Sequence, residues 1–212
     1  MFNDFKADVE RYAVMDNYPW LFLVLTKQGL WITAHYRFSR WVNNTVYVPV
    51  IREILKLFSG IWRKLVEIST CCEFPSKAEI GKGLYLPHAS GIFINSDAKI
   101  GEYCNLSQDV TIGVGGRGEK RGCPKLGNRV FVGPGARIFG PIAIGNNVAI
   151  GANAVVTKDL PDNAVAVGVP AKIISYKGSE DFIICSDAMI SSLKPRQNKE
   201  LTHLRQKTMT NS

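Results

Sequence analysis

LGNRVFVGPGARIFGPIAIGNNVAIGANAVV, residues 126–156, decides how this chain folds. Leu126, Val132, Ile138, Ile144, Ile150 and Val156 stand six residues apart along it. Upstream the same spacing runs in two shorter columns, Ile80, Leu86, Ile92 and Ile100, Leu106, Ile112. Glycine follows many of these positions, at Gly81, Gly101, Gly113, Gly127, Gly133, Gly145 and Gly151. In the long block a small or β-branched residue usually stands four places on, at Val130, Ala136, Ile142, Val148 and Ala154. A period of six fits neither the α-helical turn nor simple strand alternation. It fits a hexapeptide parallel β-helix, in which each hexad is one flat face of a triangular prism. The apolar residue points inward, and glycine lets the chain pass the corner without a Cβ clash.

A coil of such a prism takes three hexads, so residues 72–174 supply about four to five coils. The regularity breaks between Gly113 and Lys125, where GVGGRGEKRGCPK reads as a loop thrown out of the prism. Pro161-Asp162-Asn163 marks a turn leaving it. The fold class is therefore mainly β, with a helical segment in front. Three spans follow: a helical region over 1–71, the β-helix over 72–174, and a tail over 175–212 that loses all periodicity and is expected to be flexible. In the helical region Phe2, Phe5, Val9 and Tyr12 form a stripe. Pro19 opens a second helix reaching about Val42, and Asn43-Asn44-Thr45 breaks it. Pro49 opens a third, with Ile51, Leu55, Phe58, Trp62 and Leu65 on one face. The helices are expected to cap the exposed backbone at the start of the prism.

The chain has 212 residues and a net charge of +8, which suits an anionic partner such as a nucleotide-type cofactor, an acidic glycan or a membrane surface. Nothing resembles a nucleic-acid reading motif, so that class is set aside. Five cysteines without framework spacing suggest a reducing compartment, and Cys71-Cys72 is not a CxxC pair, so no metal site is expected. Asp4, Lys6, Asp8, Glu10 and Arg11 stand where a signal peptide needs an apolar core. The expectation is a cytoplasmic protein. Basic residues interleave with Trp20, Trp31, Trp41 and Trp62, so the helices suit a trimer-facing bundle or contact with the inner face of a membrane.

IGKGLYLPHASGIFI (80–94), TIGVGGRGEKRGCPKLGNRVFVGPGARIFGPIAIGNNVAIGANAVV (111–156) and NAVAVGVPAKII (163–174) together resemble the left-handed β-helix acyltransferases, most closely the serine acetyltransferases. The resemblance covers about half the chain and implies a left-handed coil, a homotrimer, acetyl-CoA as co-substrate and no metal. It also implies that His88 is the catalytic base, flanked by small Ala89, Ser90 and Gly91. Histidine suits the task because its pKa lies near the working pH, and an alcohol must lose its proton as it attacks a thioester. The family's orienting aspartate, counted back 15 residues from the histidine, falls on Glu73. Gly133 and the Gly151-Ala152 pair would let a pantetheine arm lie close to the backbone, with Gly113 in the same donor set. Lys158 and Lys172 would meet the nucleotide phosphates. The bland alternatives are corner geometry for the glycines and a satisfied structural histidine for His88.

Two positions depart from the family. Pro87 stands where an acidic residue helps hold the serine amino group, and Cys123 stands where a histidine contacts the serine carboxylate. With Asp16 and Arg121 they are the candidate acceptor-site residues. This combination resembles the O-acetyltransferases of capsule and exopolysaccharide pathways. The expected acceptor is then a sugar hydroxyl, including one on a lipid-linked glycan. The alternative is serine O-acetylation for cysteine synthesis, and a third reading is a non-catalytic trimeric scaffold.

Overall fold

The computed structural model describes residues 2–183. Four helices come first: α1 (Phe2–Asp16), α2 (Trp20–Thr26), α3 (Gln28–Thr45) and α4 (Pro49–Thr70). Among the described residues no helix is long and apolar enough to cross a membrane. The single helix expected from Pro19 to Val42 is two, because the backbone becomes extended at Lys27 (φ −91°, ψ 108°). Beyond that break Gly29 packs onto the prism, where a Cβ would stand 2.7 Å from the Leu86 carbonyl oxygen. Asn43, Asn44 and Thr45 belong to the last turn of α3, and the break follows them. α3 and α4 pack through His35, Phe38, Phe58 and Trp62. The face predicted for α4 is only partly used: Leu55 and Trp62 are half-buried, while Ile51, Phe58 and Leu65 stay exposed.

The repeat region forms a three-sided coil of short strands, each stacked in parallel on the equivalent strand of the next coil. The first face stacks Glu79–Ile80, Lys99–Ile100, Lys125–Leu126 and Ala143–Ile144. The second stacks Asn105–Leu106, Phe131–Val132, Ala149–Ile150 and Val165–Val167, and Lys172–Ser175 closes it antiparallel. The third stacks Phe93–Ile94, Thr111–Gly113, Arg137–Phe139 and Val155–Val156. All twelve residues of the six-residue columns are buried, and the small residues between them fill the corners of the same core.

Glycine at the corners answers to stacking. A Cβ on Gly101 would stand 2.5 Å from the Gly127 carbonyl carbon of the next coil. The left-handed backbone falls two residues later, on Tyr103, Arg129 and Asn147. That edge carries a side-chain ladder: Asn128 Oδ1 accepts the Glu102 N–H at 2.6 Å, and Asn146 Oδ1 accepts the Asn128 N–H at 2.9 Å.

The first and second faces of the first coil have no strand before them, and the helices supply what their backbone lacks. The Tyr12 hydroxyl donates to Leu86 O at 2.9 Å and accepts from Leu86 N–H at 3.0 Å. Tyr36 does the same across Ala78 O (2.7 Å) and Ile80 N–H (3.0 Å). Arg37 donates to Ile80 O and Gly81 O, both at 2.6 Å. Asp8 pairs with Arg37 at 3.0 Å and accepts the Leu84 N–H at 2.9 Å. Burial pushes the Asp8 carboxyl up to about 6 against the pull of Arg37. So α1 turns Asp8, Arg11 and Tyr12 inward, while Phe2 of the predicted apolar stripe is exposed.

Residues 175–183 are the described part of the span expected to form a flexible tail. Residues 177–183 return across the second face as a strap. Ser179 Oγ donates to Arg129 O at 2.6 Å, Phe182 stacks on Phe131 at 4.7 Å, and Asn105 Nδ2 donates to Phe182 O at 3.1 Å. Residues 184–212 lie outside the described residues.

Candidate active site

His88 lies at the edge where the second face turns into the third. Tyr85 bridges to Asn105 on the second face, and Phe93 begins the third. Pro87 ends the pairing because it has no N–H to donate. The Ser90 N–H then closes onto His88 O at 2.9 Å, and Gly91 makes the turn with φ +65°. The Gly91 N–H donates to Thr70 O at 3.1 Å, tying the corner to the end of α4. Ala89 is buried and His88 exposed. Among the described residues the imidazole makes no hydrogen bond within the chain.

The same edge continues down the coil. Asp109 N–H donates to Ser90 O at 2.9 Å, Gly135 N–H to Gln108 O at 2.9 Å, and Asn153 N–H to Pro134 O at 2.8 Å. Gly133 and the Gly151-Ala152 pair therefore stand in line with His88. Their own packing needs glycine: a Cβ on Gly133 would stand 2.8 Å from Ala152 N, and one on Gly151 2.7 Å from Val167 Cγ1. Lys172 pairs with Val167 at the far end of this line and is exposed.

Other candidates lie elsewhere. Gly113 ends a strand of the third face, where a Cβ would stand 2.5 Å from the Phe139 ring. Lys158, Arg121 and Cys123 belong to the opposite edge of that face. There the loop is pinned by paired hydrogen bonds between Gly115 and Gly122, at 3.0 and 2.9 Å. Cys123 Sγ lies 3.1 Å from Asn95 Oδ1. Burial, with Asp97 second, pushes its thiol up, so it stays protonated at neutral pH. Within one chain the third face separates Lys158, Arg121 and Cys123 from His88, so the expected donor and acceptor sets are each split between two edges.

Glu73 bridges to Phe93 on the third face, one coil before it and beside the His88 edge. Its carboxylate is exposed, and no hydrogen bond joins it to His88. Asp16 closes α1 and accepts from the Tyr85 hydroxyl at 3.3 Å, while Lys27 Nζ lies 3.0 Å away. Tyr85 lies on the second face, three residues before His88. Burial, then Asp16, push the Tyr85 phenol up to about 12, keeping it a donor. Sequence reasoning missed Tyr85, Lys27 and Asp109. The Asp109 carboxylate occupies the space a Cβ on Gly91 would need. Counting three hexads on from Gly91 would have found it.

The family model "Bacterial transferase hexapeptide (six repeats)" matches residues 123–158. A serine acetyltransferase of Synechococcus elongatus is 33% identical over 175 residues, covering 82% of this chain and 68% of the relative. One from Helicobacter pylori is 42% identical over 112 residues, covering 53% of this chain and 66% of the relative. The chain thus spans about two thirds of these relatives' length. A solved serine acetyltransferase in complex with CoA superposes with TM-score 0.68 at 28% identity, covering 81% of this chain and 69% of that one. These findings overturn the sugar acceptor and the closer likeness to capsule and exopolysaccharide enzymes. Pro87 and Cys123 depart from the pattern, yet the similarity extends across both the helical and the repeat regions. The chain is an acyltransferase and belongs to the serine acetyltransferase family of hexapeptide-repeat proteins.

Proposed function

We propose that this chain is a serine O-acetyltransferase, moving the acetyl group of acetyl-CoA to the hydroxyl of L-serine. One observation carries the reading: an exposed histidine stands in line with the small residues Gly133, Gly151 and Ala152 on one edge of the coil. A thioester lying along that line would present its carbonyl carbon near the imidazole. His88 takes the hydroxyl proton as the serine oxygen attacks. The tetrahedral intermediate collapses, the C–S bond breaks, and the imidazolium returns its proton to the CoA sulfur. Glu73 orients His88 and favours the imidazolium once substrate draws the corner closed. Asp16 meets the serine ammonium in place of the acid absent at Pro87. Lys172 meets a phosphate of CoA.

The finer architecture belongs to this reading: a left-handed coil and a homotrimer. The outward residues of the third face include Phe93, which is exposed. Packing of three copies through this face would bring the Cys123 edge of one against the His88 edge of the next, reuniting Cys123, Arg121, Gly113 and Lys158 with the base. The scarce, unframed cysteines fit a reducing compartment such as the cytoplasm. The test is thiol release from acetyl-CoA with and without L-serine, with the product weighed by mass spectrometry. Serine-dependent release and O-acetylserine support the reading; release no faster than in buffer overturns it.

A further inference from the structure

Gln108 carries a polar atom that nothing in the described chain satisfies. Its Oε1 is sealed from solvent, and among the described residues no donor reaches it. The residue as a whole is half-buried. An acceptor shut off from water without a donor destabilises the free protein, and such an atom asks for a partner. Stacking fixes where it stands. Ser107 N–H donates to Val132 O at 3.0 Å, Gly135 N–H to Gln108 O at 2.9 Å, and Asp109 N–H to Ser90 O at 2.9 Å. Gln108 is therefore one coil after the His88 corner and one coil before Gly133, on the edge that reaches Gly151 and Ala152 a coil later.

That place decides what donor suits it. The role of Gln108 rests on acetyl-CoA lying along this edge as the proposed acyl donor. Stacked strands repeat about every 4.8 Å. With the thioester carbonyl beside the imidazole, the pantetheine arm runs past Gln108 toward Gly133. Two methylene carbons separate its sulfur from the first amide nitrogen, a reach of about 4 Å. That N–H thus falls about one rung beyond the thioester, at the level of Gln108. Gly133, Gly151 and Ala152 admit the arm but offer no side-chain acceptor. An amide N–H that leaves water to lie on this edge needs a partner in its turn. A neutral donor and a neutral acceptor, each lacking a partner, meet there.

We propose that Gln108 Oε1 accepts the N–H of the pantetheine amide nearest the sulfur, and so sets how far the thioester advances toward His88. The test is calorimetry of the full chain with CoA in the absence of serine. The second ligand is a CoA analogue in which an ester oxygen replaces that N–H. Wild type is compared with Gln108→Met, which keeps an unbranched side chain of similar length and removes the acceptor. No hydrogen bond within the described chain is lost, so the melting temperature should not fall. Wild type should bind CoA about tenfold more tightly than the analogue, whereas Gln108→Met should bind the two alike. An equal preference for CoA in both proteins overturns the proposal. So does that result with a lower melting temperature and a smaller mass by light scattering, which assigns the oxygen to a contact between copies. No CoA binding by the wild type overturns it together with the donor line. The expected pattern without serine turnover supports Gln108 and rejects the acceptor alone.

Discussion

Replacing Tyr12 by phenylalanine tests how the helices hold the prism and its histidine corner. Tyr12 is 1% exposed, and its hydroxyl serves both the N–H and the C=O of Leu86, two residues before His88. Burial pushes the phenol well above its ordinary value, so the group remains a donor across the working range. Phenylalanine keeps the ring and its edge-on contact with Tyr85 at 4.6 Å, so little apolar burial is lost. It leaves two buried backbone groups without partners, each costing about 1–3 kcal/mol. Allowing for relaxation, the variant should lose about 2–4 kcal/mol, a large share of a typical folding free energy. Urea unfolding at matched protein concentration measures the loss. Hydrogen exchange at the Leu86 amide shows whether it arises at the cap, where protection should fall selectively. A loss below about 0.5 kcal/mol with unchanged Leu86 protection would refute capping by Tyr12.

Gly101→Ala places a methyl 2.5 Å from backbone of the next coil and should cost about 1–3 kcal/mol or prevent folding, read from melting and soluble yield. The Asp8 carboxyl, held at about 6 when folded and near 3.9 when unfolded, favours the native state while protonated. Its contribution is full below about pH 4 and lost as pH rises through about 6, so Asp8→Asn should flatten the stability–pH curve in that window, measured by urea midpoints. Glu73→Gln should lower kcat by at least about tenfold with the KM for serine little changed. An unaltered kcat would remove Glu73 from the machinery.

The prism was legible because its core obeys one rule: every column residue from Ile80 to Val156 is inside. The helices were less so. α1 and α3 meet the prism with Asp8, Arg11, Tyr12, Tyr36 and Arg37, polar groups chosen by exposed strand backbone and invisible to an apolar-stripe search. The strap over 177–183 rests on long-range partners such as Phe131 and Arg129, which local periodicity cannot indicate. At the site, three-hexad stacking aligned His88 with Gly133 and Gly151, while Cys123 and Lys158 fell on another edge that one chain cannot bring to the histidine. The sugar acceptor failed for a different reason. Pro87 and Cys123 remove two expected contacts, but loss of a contact does not say what replaces it. Asp16 accepts from Tyr85, which stands three residues upstream of the base.

The most direct measurement compares the wild type with His88→Ala for acetyl transfer from acetyl-CoA to L-serine, with CoA binding followed by calorimetry. Serine-dependent turnover is expected in the wild type. The variant should lose about 10²–10⁴-fold in kcat while still binding CoA. Equal turnover by the two proteins would contradict the assignment of His88 as the base, and no serine turnover by either would contradict the proposed reaction.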